Sequence, residues 1–203
     1  MKIHPRQVML PVLCLVALLP VLLTAQPQFG FEGERLDFTL VRSASPDTLD
    51  WTVSGDYYLS NLHDEALSGV IVFPVPSSSE IGSAGNIRLD LIEPSDSMAV
   101  ELTGQSDKGF SFRLDLPPRS FAKLHINYSQ KISGKTAHYV LLTANSWGRP
   151  LPFCEMTLNL GQGVELEEMP FPSPSLSSGE IGKVFNWQFQ GFSPEKDFIV
   201  RIR

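Results

Sequence analysis

Apolar and polar residues alternate with a period of two along most of this 203-residue chain. The clearest case sets Phe185, Trp187 and Phe189 against Asn186 and Gln188. Because a strand sends successive side chains to opposite faces, this pattern predicts strands that are buried on one face and solvated on the other. Similar segments occur at 36–40, 51–60, 87–91, 98–102, 110–116, 122–128, 139–143, 156–160 and 198–202, with a continuous apolar run at 70–73.

Turn-forming residues separate almost every pair of these segments, as in Pro94-Ser95-Asp96. The three-to-four spacing of an amphipathic helix is almost absent. Roughly ten to twelve short strands with frequent turns predict an all-β protein built as an antiparallel β-sandwich. The strands at 122–128 and 139–143 are expected to form a hairpin, because Ser133 and Gly134 supply a turn between them.

A motif of Phe-Pro-x-Pro followed by Glu-Ile-Gly occurs twice, at 73–82 and at 171–182. This repeat predicts a duplication, with a first β-sandwich half at 26–117 and a second half at 118–203. The alternative is one single domain over 26–203, in which the repeat reflects the common use of Pro and Ser in turns.

The start of the chain has the organisation of a secretory signal peptide. Lys2 and Arg6 precede an apolar run from Val8 to Leu23, which ends next to the small residue Ala25. We therefore expect residues 1 to 25 to be cleaved and the protein to be exported, to the periplasm or the cell exterior. The alternative is an uncleaved anchor, although the run is shorter than the roughly 20 apolar residues of a spanning helix.

Charge and cysteine content narrow the function classes. Loss of Lys2 and Arg6 with the signal would move the formal net charge from −6 to −8. Nucleic acid is therefore not expected as a partner, because phosphate binding needs a basic surface. Cys154 would be the single remaining cysteine, which excludes an internal disulfide. Its phase with Met156 predicts a buried thiol that acts as a small hydrophobe.

No catalytic or metal-binding constellation is recognisable. The G-x-S-x-G motif of serine hydrolases does not occur. The densest group of ligand-type residues is His63-Asp64-Glu65, and no second group at ligand spacing accompanies it. His125 shares the predicted polar face of its strand, so we expect a solvated histidine. These features predict neither a metal nor a cofactor, and they favour a protein that is not an enzyme.

The segment between 145 and 153 is the best candidate for a binding surface. It joins two predicted strands and carries Trp147, Arg149 and Phe153, with prolines that stiffen it. These three residues would form an exposed aromatic platform for a protein or a glycan partner. The alternative is that Trp147 folds back over the end of the sandwich as a plug.

Parts of the chain resemble a known family. Residues 138–151, with Asn145-Ser146-Trp147-Gly148-Arg149, and residues 184–197, with Phe185-Asn186-Trp187-Gln188-Phe189, resemble a family of exported bacterial β-sandwich proteins with a domain of unknown function. Residues 58–76 are similar to β-sandwich interaction modules at the start of secreted adhesive proteins. The resemblance implies export and a sandwich fold, and it transfers no site residues.

The sequence thus favours an exported, non-enzymatic β-sandwich that acts through surface contacts as a binding or assembly component. Two alternatives stay open. One is a secreted hydrolase or carbohydrate-active protein whose carboxylates are distant in sequence. The other is a small outer-membrane β-barrel, which would also alternate apolar and polar residues.

Overall fold

The computed structural model describes residues 29–45, 47–95 and 97–203, so the predicted signal peptide lies outside the described residues. The described chain folds into strands and one short 3₁₀ helix, Leu142–Trp147. The strands are β1 (Gly30–Arg42), β2 (Leu49–Asn61), β3 (Leu67–Pro74), β4 (Gly85–Ile92), β5 (Ala99–Ser106), β6 (Gly109–Leu116), β7 (Ser120–Ile132), β8 (Thr136–Tyr139), β9 (Leu151–Gly161), β10 (Leu166–Glu168), β11 (Ser175–Ser178), β12 (Gly182–Phe192) and β13 (Phe198–Ile202).

The strands form one large and two small sheets. The large sheet has seven strands in the order β11-β12-β9-β1-β2-β7-β4, and the small sheets have the orders β10-β13-β8 and β3-β6-β5. Every pair is antiparallel except β1 with β9, which run in parallel. The predicted all-β sandwich is confirmed, with this single parallel pair as a departure from a purely antiparallel arrangement.

Both small sheets cover the same face of the large sheet. Phe38 of β1 stacks on Phe198 of β13 with ring centroids 4.4 Å apart. Tyr128 of β7 meets Phe110 of β6 at 6.3 Å. All of these rings belong to one continuous apolar core. The molecule is therefore a two-layer sandwich in which one layer is continuous and the other is divided between two sheets.

The burial of side chains follows the predicted alternation. On β12, Phe185 and Trp187 are buried and the intervening Asn186 is half-buried, while Gln188 is exposed. Cys154 on β9 is fully buried, as its phase predicts. The pattern of the sequence therefore assigns the correct face to the core on these strands.

The predicted hairpin of 122–128 with 139–143 is wrong. β7 pairs with β2 and β4 in the large sheet, whereas β8 pairs with β13 in a small sheet. The chain changes layer at the intervening turn, where the Ser133 N–H bonds to the Glu80 carbonyl instead of closing a hairpin. β8 also ends at Tyr139, and the 3₁₀ helix begins at Leu142.

No helix among the described residues has the length and apolar character needed to cross a bilayer.

The large sheet combines strands from both predicted halves. β1, β2 and β4 come from 26–117, and β7, β9, β11 and β12 come from 118–203. The two copies of the Phe-Pro motif also differ in setting. Phe73 lies in β3, whereas Phe171 lies in a bend and is buried against the core.

Candidate binding cavity

A cavity of about 560 Å³ lies between the two small sheets, above the large one. Its floor is formed by β1, β2 and β7, one wall by β3, and the opposite wall by the end of β8 and the 3₁₀ helix. Most of the side chains around it are apolar or aromatic. The divided layer of the sandwich thus creates a concave site between its two sheets, which are not hydrogen-bonded to each other.

Glu34 is the acidic residue of the cavity floor. It lies directly opposite Tyr57 of β2 and next to Cys154 of β9 in the register of the large sheet. A β-bulge between Phe31 and Gly33 shifts the phase of β1, so that Phe31 and Glu34 both point towards the core. Bulges commonly redirect a side chain in this way. The bulge therefore places a carboxyl group in an apolar layer.

Burial changes the acidity of this carboxyl. Glu34 is only 3% exposed, and burial raises its pKa from 4.5 to about 7 because the charged form loses its hydration. The Cys154 thiol donates a hydrogen bond to Glu34 Oε1 at 3.6 Å, which partly offsets the rise. Near neutral pH, Glu34 can therefore donate a hydrogen bond when protonated or accept one when ionised.

Two buried tyrosines complete the polar part of the floor. The hydroxyl groups of Tyr57 and Tyr139 are hydrogen-bonded at 2.8 Å, which joins β2 of the large sheet to β8 of a small sheet. Burial raises the pKa of both phenols, and the nearby carboxyl of Glu34 raises it further. Both tyrosines therefore stay neutral, and the cavity offers hydroxyl groups beside a carboxyl.

Trp147 lines the cavity, and Arg149 follows it on an exposed segment. Trp147 folds back over the end of the sandwich, half-buried, with its ring centroid 5.3 Å from that of Phe31. Arg149 forms an ion pair with Glu32 at 2.7 Å. Glu32 also accepts a hydrogen bond from Ser60 at 2.6 Å. These contacts hold the segment after the 3₁₀ helix against the start of β1.

Phe153 lies on the other face of the large sheet. Its ring covers Gly33, where a Cβ atom would come within 2.5 Å of it, and meets Tyr58 edge-on at 5.2 Å. Arg35 lies 5.8 Å from the Phe153 centroid and pairs with Glu155 at 2.9 Å. The structure therefore brings Trp147 to the cavity, ties Arg149 to the start of β1 and places Phe153 on the other face of the large sheet, so the three residues do not form one platform.

Two other residues considered in the sequence, Asp64 and His125, have structural partners, and so does His138. Asp64 pairs with Arg119 at 2.8 Å on the surface. His125 is part-buried and bonds to Asp56 at 2.8 Å. His138 bonds to Asp197 at 2.9 Å. Within the residues that the structure describes, no three His, Cys, Asp or Glu side chains are grouped as metal ligands would be.

Sequence reasoning missed Glu34, although a signal was present. Glu34 is two residues before Leu36 and shares its phase with Leu36, Phe38 and Leu40, all of which are buried. A carboxyl in phase with a core face is unusual, because a buried charge is costly. Such a residue marks a candidate site even where the strand around it is otherwise ordinary.

Comparison with known proteins supports the fold. No protein-family model matches the sequence, and no curated protein matches it. The structure is similar to that of a proposed nutrient binding protein from Legionella pneumophila, with a TM-score of 0.64 and 13% identity over 87% of this chain and 67% of that one. At this identity, the likeness shows a shared fold only.

Two lower-scoring structures also align. A proposed protease from Parabacteroides distasonis has a TM-score of 0.39 and 10% identity, with 86% of this chain and 40% of its own covered. The yeast leukotriene A4 hydrolase has a TM-score of 0.38 and 8% identity, and the alignment covers 86% of this chain and 28% of that one. These scores are too low to bear on the fold or the function of this chain.

Proposed function

We propose that this chain is an exported, non-enzymatic binding or assembly component of the periplasm or cell exterior, and that the cavity between its small sheets is the binding site. The observation that carries the proposal is the buried carboxyl of Glu34 on the floor of a cavity of about 560 Å³. Ligand sites typically combine an apolar lining with a few well-placed polar groups, and this cavity has that composition.

The chemistry of the lining suggests what such a site would hold. Apolar walls favour a ligand with an apolar body, because burial removes its surface from water. Glu34, Tyr57 and Tyr139 favour a hydroxyl, amide or carboxylic acid group on the part that reaches the floor. A protein or a glycan that presents such a group is compatible with the partners expected from the sequence.

Two further observations support the proposal. The similar structure from Legionella pneumophila is described as a proposed nutrient binding protein, so a binding role has been proposed for another protein of this fold. The order of basic, apolar and small residues at the start of the chain supports export. The resemblance to exported bacterial β-sandwich proteins is consistent with both.

A thermal-shift panel tests the site. Short alcohols, phenols, amides and carboxylic acids are screened against the intact protein and two variants. Ile71→Trp fills the cavity from β3, whereas Leu176→Trp adds the same ring on β11, away from the cavity, at a position that is 65% exposed. We expect compounds that raise the Tm of the wild type and of Leu176→Trp but not that of Ile71→Trp. The proposal fails if Ile71→Trp binds the compounds as well as its control does.

A further inference from the structure

Strand β3 borders the cavity along its whole length. It pairs with β6 on one side, and among the described residues no strand pairs with its other side. All eight of its residues, Leu67–Pro74, line the cavity. Because successive side chains of a strand point to opposite faces, a run of consecutive lining residues means that the backbone edge itself faces the cavity.

The register of β3 identifies the free backbone groups. The Val75 N–H donates to the Lys108 carbonyl at 3.0 Å, just beyond the end of the paired region. Hydrogen-bonded and non-hydrogen-bonded pairs alternate along an antiparallel ladder. Val75 belongs to a hydrogen-bonded pair, so Phe73, two residues earlier, belongs to another. Val70 and Val72 then belong to non-hydrogen-bonded pairs, and their N–H and C=O groups point away from β6. These two residues offer two donors and two acceptors at strand spacing.

Most of this edge lacks the usual protection against pairing, because its one proline, Pro74, stands at the last position of the strand. Exposed sheet edges normally carry charges, prolines or bulges that discourage another strand from adding. The edge strands β4 and β5 carry Arg88 and Glu101, for example, whereas β3 has no charged residue. Instead, it exposes Val70 at 56% and Val72 at 74%. The edge is therefore chemically suited to being covered by a strand.

The divided layer has room for that strand. β8, on the opposite side of the cavity, pairs only with β13 within the described part of the chain. A strand residue occupies roughly 160 Å³, from the rise per residue and the spacings between strands and between sheets. The cavity of about 560 Å³ thus accommodates about three to four residues. The rings of Phe73 and Tyr139, 6.3 Å apart, narrow one end.

We infer that the cavity binds a short, extended polypeptide segment of uncharged and mostly apolar residues, which adds to β3 as a strand and hydrogen-bonds to Val70 and Val72. This inference rests on the proposed function, because it names the ligand class of the same cavity. Addition of a strand to a free sheet edge is an established mode of peptide recognition. Inward side chains of the segment would meet Glu34 and Tyr57, which favours a hydroxyl or amide group at that position.

An array of capped hexapeptides composed of Val, Ile, Thr, Ala and Ser supplies the probe. Val72→Pro removes the outward N–H and leaves the bonds to β6 intact, and an edge strand tolerates proline at such a position. Val72→Thr is the matched control, because it keeps the N–H. Loss of one backbone hydrogen bond costs about 1 kcal/mol, so we expect the affinity of the bound peptides to fall about fivefold or more in Val72→Pro and to stay unchanged in Val72→Thr.

Amide hydrogen exchange of the wild type gives a second measurement that needs no variant. A bound hexapeptide should slow exchange at the Val70 and Val72 amides, and a small molecule from the thermal-shift panel should not. The inference is overturned if the hexapeptides bind Val72→Pro as well as Val72→Thr, or if both amides are already protected without peptide, as in a self-paired dimer. If panel compounds bind but no hexapeptide does, strand addition is overturned and the proposed function stands. If neither the compounds nor the hexapeptides bind, both the inference and the proposed function are overturned.

Discussion

The carboxyl of Glu34 links the stability of the protein to pH. Its pKa is about 7 in the folded protein and 4.5 as an ordinary value. Below both values the carboxyl is protonated in the folded and the unfolded chain, so it adds no pH dependence to the free energy of unfolding. Between them the unfolded chain releases the proton first, so the free energy of unfolding falls as pH rises, and the loss is complete above about pH 7.

We predict that Glu34→Gln removes this dependence. Relative to the variant, the wild type should lose about 3 kcal/mol in the free energy of unfolding between pH 4 and pH 8, because each pKa unit corresponds to about 1.4 kcal/mol. Urea unfolding at several pH values measures the difference. Glu101→Gln, on the exposed edge strand β5, is the control and should follow the wild type. Parallel pH profiles of the wild type and Glu34→Gln would show that the carboxyl is not buried in this way.

At the scale of elements, one carboxylate anchors the wall that carries Trp147. Asp197 Oδ1 accepts hydrogen bonds from the N–H groups of Leu141 and Leu142, both at 3.0 Å. Its other oxygen meets His138 Nε2 at 2.9 Å. The turn before β13 thus holds the end of β8 and the first turn of the 3₁₀ helix in place.

We predict that Asp197→Ala loosens this wall. The N–H of Leu141, which is buried, would lose its acceptor, at a cost of about 1 to 3 kcal/mol. Amide exchange across Leu142–Trp147 should accelerate, as followed by mass spectrometry. Glu195→Ala, an exposed position two residues earlier, should leave both stability and exchange unchanged. Equal exchange in the two variants would mean that Asp197 does not anchor the helix.

The elements also show what the sequence could predict and what it could not. Alternation identifies strands and their buried faces, as at Trp187, because burial of one face follows directly from the period of two. It does not specify which strands pair with each other, so it does not predict the change of layer between β7 and β8. The cavity depends on that change of layer and on the bulge before Glu34, and both are long-range or irregular features that a local pattern does not encode.

At the scale of the whole molecule, the large sheet interleaves the two predicted halves. β1 pairs with β2 from its own half and with β9 from the other. β7, from the second half, lies between β2 and β4 of the first. A chain cut after residue 117 would therefore leave β4 without its partner in the sheet and would expose the edges of β1 and β2 along their length.

We predict that neither 29–117 nor 118–203 folds alone, because each fragment would lose the strands that cover its core-facing side chains and pair its inner edges. Each fragment should lack near-ultraviolet circular dichroism and a cooperative thermal transition, while an equimolar mixture should regain both, since the same sheet can reassemble from two pieces. The intact chain with the same residues is the control. A cooperative transition in either fragment by itself would instead favour two independent halves and would support the duplication that the repeated Phe-Pro motif predicts.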